Sequence, residues 1–529
     1  MKKFNFFMLL FFNIVFANGY KEFIDLLEAG KHNVVEEKIN KLKDEYNKRL
    51  LTAIRKFYLG DYEFAFEEIK NLSAVKWDRE TEYIVENIKA VNEIITNKYE
   101  KFESEHFIVF LKGKDIILKE KILSELEKIY SFYQKIFNFY IDEKVRVEVY
   151  NSKQEFYVAS TLGEEIVNRS GVVGICKFNR IMILSPENLP YGYRWVDTLA
   201  HEYLHFILNR ITEYKLPLYL HEATARYFDT MYRSTNSLCL NISDRVLLLK
   251  AKQENKIIPF DSFRGSLAYL SSQEEVGLAF SELSSFVEYV VKLYGVEKYV
   301  NFLREYKNYN IQKKENEEKF YLEYFGEKMD LLFSKWLDHI EQDKELYNKY
   351  KGVKYGIKFF SEDDEKNLIG LEIEEYVRLA DKYYKNKNKK MAVYYYNKAL
   401  DVEPYNPVAM ARIAKAYYEM GNLEQAKSLL SECISVNPNY VYAYELLFEV
   451  VYLESDFDRI EQIYHAIMDI NPFNYKIRKK YAEMLSDLGK TKPALKEYEI
   501  VSILNPADLE VIEIMKSLGE YLKMKEKIK

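Results

Sequence analysis

The sequence predicts a mainly α-helical chain with an α+β domain in its middle and an α-solenoid at its C-terminal end. Three observations carry that prediction. Four prolines, Pro404, Pro438, Pro472 and Pro506, recur at intervals of 34 residues, the signature of stacked helical hairpins. Short β-branched and aromatic runs fall only between about residues 106 and 185, where turn-forming residues punctuate them. A helix-rich stretch then runs from about Trp195 to Asp338. With 529 residues the chain is too long for one core, and two to four domains are expected.

Composition narrows the class. At 48% hydrophobic and 30% charged residues the chain has the balance of a folded protein rather than a disordered one. A net charge of −6 does not supply the concentrated basic surface that phosphate binding needs, so no nucleic-acid partner is expected. The 47 tyrosines and 33 phenylalanines read as compositional bias rather than as a stacking surface. Cys176, Cys239 and Cys433 form no CxxC pair and no even framework. Buried free thiols are expected in preference to a Cys176–Cys239 bridge.

The elements follow in order. Lys2 and Lys3 precede an apolar run from Phe4 to Phe16, and Val15-Phe16-Ala17 offers small residues for cleavage. Residues 1–17 therefore read as a signal peptide, with an uncleaved N-terminal anchor as the alternative. The run is shorter than a bilayer span requires, and no later stretch is long and apolar enough. The mature chain is expected to be exported, periplasmic or secreted, with no membrane span. Residues 18–103 read as helical. Gly60 on a turn, with Ala53 and Ala65 at small-residue positions, makes 46–79 one divergent repeat-like hairpin. Residues 104–345 form the α+β domain, with strands expected at His106–Leu111, Val145–Tyr150, Gly171–Cys176 and Arg180–Ser185. The stretch 346–372, with Gly352, Gly356 and the acidic run Glu362 to Glu365, reads as a linker.

The repeat array occupies 373–529, with units at 373–406, 407–440, 441–474 and 475–508 and a capping helix after them. Small or apolar residues fall in one register: Ala380, Ala414, Phe448 and Ala482; Ala392, Ala426, Ile460 and Ala494; Ala399, Cys433, Ile467 and Val501. Small residues let paired helices approach, and each proline ends the second helix of its pair. The third unit is degenerate, with larger side chains at these sites. A period of 34 is that of tetratricopeptide repeats, whose concave groove suits a protein partner or a peptide.

The chemistry is concentrated in LAHEYLHFILNR, from Leu199. His201, Glu202 and His205 form H-E-x-x-H on an apolar helix. Residues four apart share a helix face, so the two imidazoles can converge on one zinc ion while Glu202 reaches a water held there. Two histidines leave the metal short of a protein ligand. LPLYLHEATARYF, from Leu216, opens a second helix with Pro217 in its first turn. Packed against the first helix, it offers Glu222 or the adjacent His221, which points about 100° away. Asp197, Asn209 and Asp229 are candidate hydrogen-bond partners that would orient the imidazoles. His32, His106, His339 and His465 stand alone as surface or core residues.

LAHEYLHFIL followed by LPLYLHEATARYF resembles the peptidase MA-like gluzincin domains that bacteria often fuse to tetratricopeptide repeats. The likeness spans about residues 104–345 and includes Ser285 to Val291 with Tyr294-Gly295, and the Phe325-Gly326 to Trp336 segment. It implies a zincin-like fold, His201, His205 and Glu222 as ligands of one zinc per chain, and Glu202 as the general base. Ala223 stands where that family usually has glycine, and the sequence leaves open which tyrosine or histidine would serve as its oxyanion-stabilising group. The resemblance implies an exported zinc endopeptidase with protein or peptide substrates, its repeats binding partner or substrate. The alternative is a non-catalytic periplasmic repeat scaffold whose metal site is vestigial or structural.

Overall fold

The computed structural model describes residues 20–528 apart from 71, 73–78, 97–98, 163, 165–170, 234–238, 260–261, 264–272, 310–313 and 354–368. The expected signal segment 1–17, and most of the expected linker, lie outside the described residues. The described chain opens with α1 (Lys21–Glu28), α2 (His32–Asn40), α3 (Glu45–Tyr58), α4 (Tyr62–Lys70) and α5 (Arg79–Thr96). The Asp44 side chain accepts the Asn47 N–H and starts α3, satisfying an amide that the helix leaves open. Leu50, Leu51, Ile54, Phe57 and Tyr58 are buried along α3, and Gly60, at φ +77°, turns the chain into α4.

A five-stranded sheet follows: β1 (Glu100–Glu103), β2 (Phe107–Leu111), β3 (Val145–Tyr150), β4 (Gly174–Lys177) and β5 (Arg180–Leu184). The spatial order is β1-β2-β3-β5-β4. β2, β3 and β5 run parallel, while β1 and β4 are antiparallel edge strands. Helix α6 (Lys119–Phe137) links β2 to β3, and α7 (Lys153–Ser160) follows β3. Phe178 and Asn179, at φ +55° and +60°, turn β4 into β5.

Both faces of the sheet are covered, which is why its strands read as near-continuous apolar runs. Phe107, Val109, Val145, Val147, Ile181 and Ile183 face the core of the central domain. Phe110, Tyr150, Met182 and Leu184 face the other way and share a core with α1–α5. The N-terminal helices are thus the second lid of the sheet. A buried charge cluster ties them to it. Glu148 bonds Arg146 Nε at 2.5 Å, Arg180 Nε at 3.2 Å and the Tyr62 hydroxyl at 2.5 Å. Burial opposes its charge, but Arg180 and Arg146, with hydrogen bonds from Tyr150 and Tyr62, outweigh that and hold its carboxyl at about 2.

The helical part of the central domain comprises α8 (Trp195–Ile211), α9 (Leu218–Phe228), α10 (Ile242–Gln253), α11 (Gln273–Tyr294), α12 (Val296–Glu305), α13 (Lys314–Phe325), α14 (Met329–Ile340) and α15 (Lys344–Tyr350). The repeats follow as pairs: α16 (Leu371–Lys385) with α17 (Lys389–Val402), α18 (Pro407–Glu419) with α19 (Leu423–Val436), α20 (Val441–Glu454) with α21 (Phe457–Met468), and α22 (Tyr475–Asp487) with α23 (Thr491–Leu504), before α24 (Leu509–Ile528). The three packing columns are buried in every pair. The turn within each pair falls on Lys387, Gly421, Ser455 and Gly489, all at positive φ between +56° and +80°. Cys176, Cys239 and Cys433 are free thiols. Among the described residues no helix is long and apolar enough to cross a membrane.

Two stability predictions follow from this architecture. Glu148→Ala strands two buried guanidinium groups and should cost about 3–5 kcal/mol in denaturant unfolding. In the parent chain the Glu148 contribution is full above the unfolded carboxyl value of about 4.3 and is lost as pH falls toward 2. Ser455→Gly removes a side chain from a left-handed turn and should raise stability by about 1 kcal/mol, read as an upward shift of the denaturant midpoint.

Candidate metal centre

Helix α8 carries the H-E-x-x-H residues through the interior of the central domain, and nearly all of its side chains are buried. Such a helix is apolar on every side because it has the sheet on one flank and helices on the others. After α8, Glu213 and Tyr214 adopt positive φ, +51° and +60°, and reverse the chain. Pro217 is the N-cap of α9, with ψ 150°, so it stands immediately before the first turn rather than inside it. Its ring fixes the entry angle from an extended backbone.

This reversal brings α9 alongside α8 and gathers three side chains. Ligand-type atoms of His201, His205 and Glu222 all lie within 4.8 Å of one another. His201 Nε2 is 3.2 Å from His205 Nε2. The Glu222 carboxylate is 3.5 Å from His201 Nε2 and 3.7 Å from His205 Nε2. Donors about 2.0–2.2 Å from a tetrahedral zinc stand roughly 3.3–3.4 Å apart. The 3.2 Å between the two imidazole nitrogens is close to that spacing, the two Glu222 distances are to different oxygens of its carboxylate, and His₂Glu is a donor set that suits zinc and leaves a fourth position.

The remaining ring nitrogens have their own partners. His201 Nδ1 is 3.3 Å from Asp229 Oδ2, and Arg226 holds the same carboxylate oxygen at 3.2 Å. An N–H donated from Nδ1 to Asp229 leaves the His201 Nε2 lone pair free for a cation. His205 Nδ1 is 3.3 Å from His221 Nδ1. His221 therefore sits behind a ligand-type histidine, not within the donor triangle. Of the other residues singled out in the sequence, Asp197 is turned away, engaged by Tyr232 at 3.0 Å and by Arg233. Asn209 is buried beyond His205, where its backbone carbonyl accepts the Tyr214 N–H at 2.9 Å in closing the helix.

Glu202 stands between this cluster and β4, near enough to His201 and Glu222 to feel their charges. Its carboxylate accepts the backbone N–H of Cys176, and Gly174 lies directly over it. A Cβ on Gly174 would stand 2.5 Å from Thr198 Cγ2 and 3.0 Å from Glu202 Oε1, so only glycine lets the strand lie this close to α8. Burial pushes the Glu202 carboxyl up to about 7 and pushes the His205 imidazole down to about 3. Burial also works against a charged His201, but hydrogen bonds to Asp229 and Glu222 prevail and take it up to about 10. Without a cation, the cluster thus keeps its positive charge on His201, between two carboxylates.

Two features had no local signal in the sequence. The β4 glycine is one of many glycines until the strand is seen against Glu202. The start of α8 is also held from a distance of more than 240 residues: Arg194 Nη2 donates to Pro438 O and the Tyr444 hydroxyl, and Trp195 Nε1 donates to Met468 O.

Removing the Asp229 carboxylate should free the His201 ring to rotate. Asp229→Ala is expected to weaken zinc binding about 10–100-fold, measured by competition with a chromophoric chelator.

Comparison with known proteins bears on the C-terminal part. A tetratricopeptide repeat family model matches residues 383–447. RNA polymerase II-associated protein 3 of Homo sapiens is 23% identical over 150 residues, 28% of this chain and 22% of that protein. Its Rattus norvegicus counterpart is 25% identical over 136 residues, 25% of this chain and 20% of that protein. The chain spans about a fifth of the length of these curated relatives. Among solved structures, a crystal structure of MamA protein is similar at 16% identity, covering 29% of this chain and 85% of that one, with a TM-score of 0.27. The first TPR of Spaghetti (RPAP3), bound to the HSP90 peptide SRMEEVD, is 21% identical over 28% of this chain and 93% of that one, with a TM-score of 0.14. The C-terminal helices of this chain are tetratricopeptide repeats, a module for protein–protein interaction.

Proposed function

We propose that this chain is an exported zinc-dependent endopeptidase that hydrolyses peptide bonds in protein or peptide substrates, its repeats engaging a partner or the substrate itself. The observation that supports this most directly is the donor triangle of His201, His205 and Glu222 with Glu202 beside it on the same helix. A purely structural site has no use for a buried carboxylate at that position.

His201, His205 and Glu222 would hold the zinc ion, which when bound would supply Lewis acidity toward a peptide carbonyl and water. The chain's own residues then divide the work. Asp229 fixes the His201 ring by accepting its Nδ1–H, and His221 stands in the corresponding place for His205. Glu202 takes a proton from the attacking water as the new C–O bond forms, and passes it to the amine nitrogen as the C–N bond breaks. Its buried setting keeps bulk water away from that transfer. No described strand pairs with the outer edge of β4, so an extended peptide has main-chain partners there, next to Glu202.

A second reading is a non-catalytic adaptor, and the comparisons favour it to this extent: the family model that matches, over residues 383–447, is that of a tetratricopeptide repeat, a module for protein–protein interaction. One variant separates the two. Glu202→Gln should keep about one zinc per chain and lose peptide cleavage by about 10²–10⁴-fold, with metal content read by elemental analysis and cleavage across a peptide library. A zinc-loaded parent that cleaves nothing in that library, with cellular function unchanged in Glu202→Gln, would establish the adaptor instead.

A further inference from the structure

The segment Leu189–Trp195 runs into the first residue of α8, and it is seated on the third tetratricopeptide repeat. Gly192, at φ +67°, lies so close to that repeat that a Cβ would stand 2.1 Å from the Ile470 carbonyl oxygen. The next amide, Tyr193 N–H, donates to Ile470 O at 3.0 Å. Arg194 Nη2 donates to Pro438 O at 2.9 Å and to the Tyr444 hydroxyl at 3.0 Å. Trp195 is fully buried, and its Nε1–H donates to Met468 O at 3.0 Å. The side chains interlock as well: Tyr191 packs into the core of the repeats, and Phe473 into that of the central domain.

The acceptors on the repeat side are not incidental. Met468 is the last residue of α21, and Ile470 follows it in the turn. Carbonyls at a helix C-terminus lack donors from their own helix. Here Trp195 supplies a donor to one of them, Met468 O, and Tyr193 supplies one to Ile470 O in the turn that follows. The repeat concerned is also the one whose packing columns hold Phe448, Ile460 and Ile467.

We infer that the third repeat is a positioning element of the metal site: through Tyr193, Arg194 and Trp195 it fixes where α8 begins, and hence where His201 and His205 stand. This rests on the metal reading above. His201 is six residues beyond Trp195, about 9 Å along the helix, with no joint between them. A shift of the helix start is therefore carried to both imidazoles, while Glu222 is held separately on α9. The repeats are then a fixed part of the site and not a tethered module.

The test uses the full chain. Arg194→Met keeps the aliphatic stem and removes the hydrogen bond to Tyr444 on the third repeat together with that to Pro438, in the turn leading into it from the second; Trp195→Phe removes the donor to Met468; Tyr444→Phe removes one acceptor from the repeat side alone. Arg412→Met, which breaks the 2.7 Å pair with Asp381 between the first two repeats, is the control. Arg194→Met and Trp195→Phe should each weaken zinc binding about tenfold in chelator competition, Tyr444→Phe less but in the same direction, and Arg412→Met not at all. Parent-like affinity in both Arg194→Met and Tyr444→Phe overturns the inference, whether or not Trp195→Phe folds. A parent chain that takes up no zinc defeats the metal reading instead. The brace is then judged by hydrogen exchange of the α8 amides: faster exchange in Arg194→Met than in Arg412→Met upholds it, and equal rates overturn it.

Discussion

Burying His201, Glu202, His205 and Glu222 together in one interior is the constraint around which the rest of this molecule is arranged. Ionisable groups removed from water are costly unless each finds a partner of fixed geometry. The chain meets that demand with groups drawn from three directions. Asp229 and His221 lie on or at the end of α9, the Cys176 amide comes from the sheet, and the ligand-type atoms face one another across a gap of zinc-sized dimensions.

Such a cluster keeps its shape only if α8 cannot slide, and the helix is secured at both ends. At its start the third repeat receives the donors of the strap. At its end Arg210 reaches the N-terminal helices. Its guanidinium occupies the space that a side chain at Gly30 would need, with Nη1 only 0.7 Å from an ideal Cβ position. It also bonds Asn179, at the tip of the β4–β5 hairpin, and lies over the Phe206 ring at 4.8 Å. Gly30, at φ +73°, is thus required twice over, by its backbone and by its neighbour. The regions flanking the central domain in sequence are, in space, the two end-stops of the helix that carries His201 and His205.

Much of this was legible beforehand, and the limit has a physical reason. The repeat period, the packing columns and the H-E-x-x-H spacing are local patterns, because a helix brings residues three and four apart onto one face. Four of the five strand runs were likewise visible by composition; β1, polar and largely exposed, was not. Their order was not: that β4 is an antiparallel edge, laid over Glu202 by virtue of Gly174, depends on pairings across the sheet. Residues 18–103 read simply as helices, although their apolar faces form one core with Phe110, Tyr150, Met182 and Leu184. The large residues of the third repeat read as degeneracy, because the contact that sets this repeat apart is made by residues more than 240 positions away.

The partners of the two imidazoles show where sequence reasoning about a helix stops. Asp197 lies one turn before His201 and is, in sequence alone, as well placed as Asp229. Yet for both Nε2 atoms to meet at one point, each Nδ1 must face away from it, on the opposite side of the ring. In this fold those far sides face α9 and not the preceding turn of α8. The partners therefore come from α9, as His221, and from the residue that caps it, Asp229, while Asp197 is left to Tyr232 and Arg233. One short helix and its cap thus supply the carboxylate that completes the donor set and the groups that aim both histidines. An element with three duties to one site is constrained in rotation as well as position, which is why Pro217 and the left-handed pair Glu213–Tyr214 stand at its entrance.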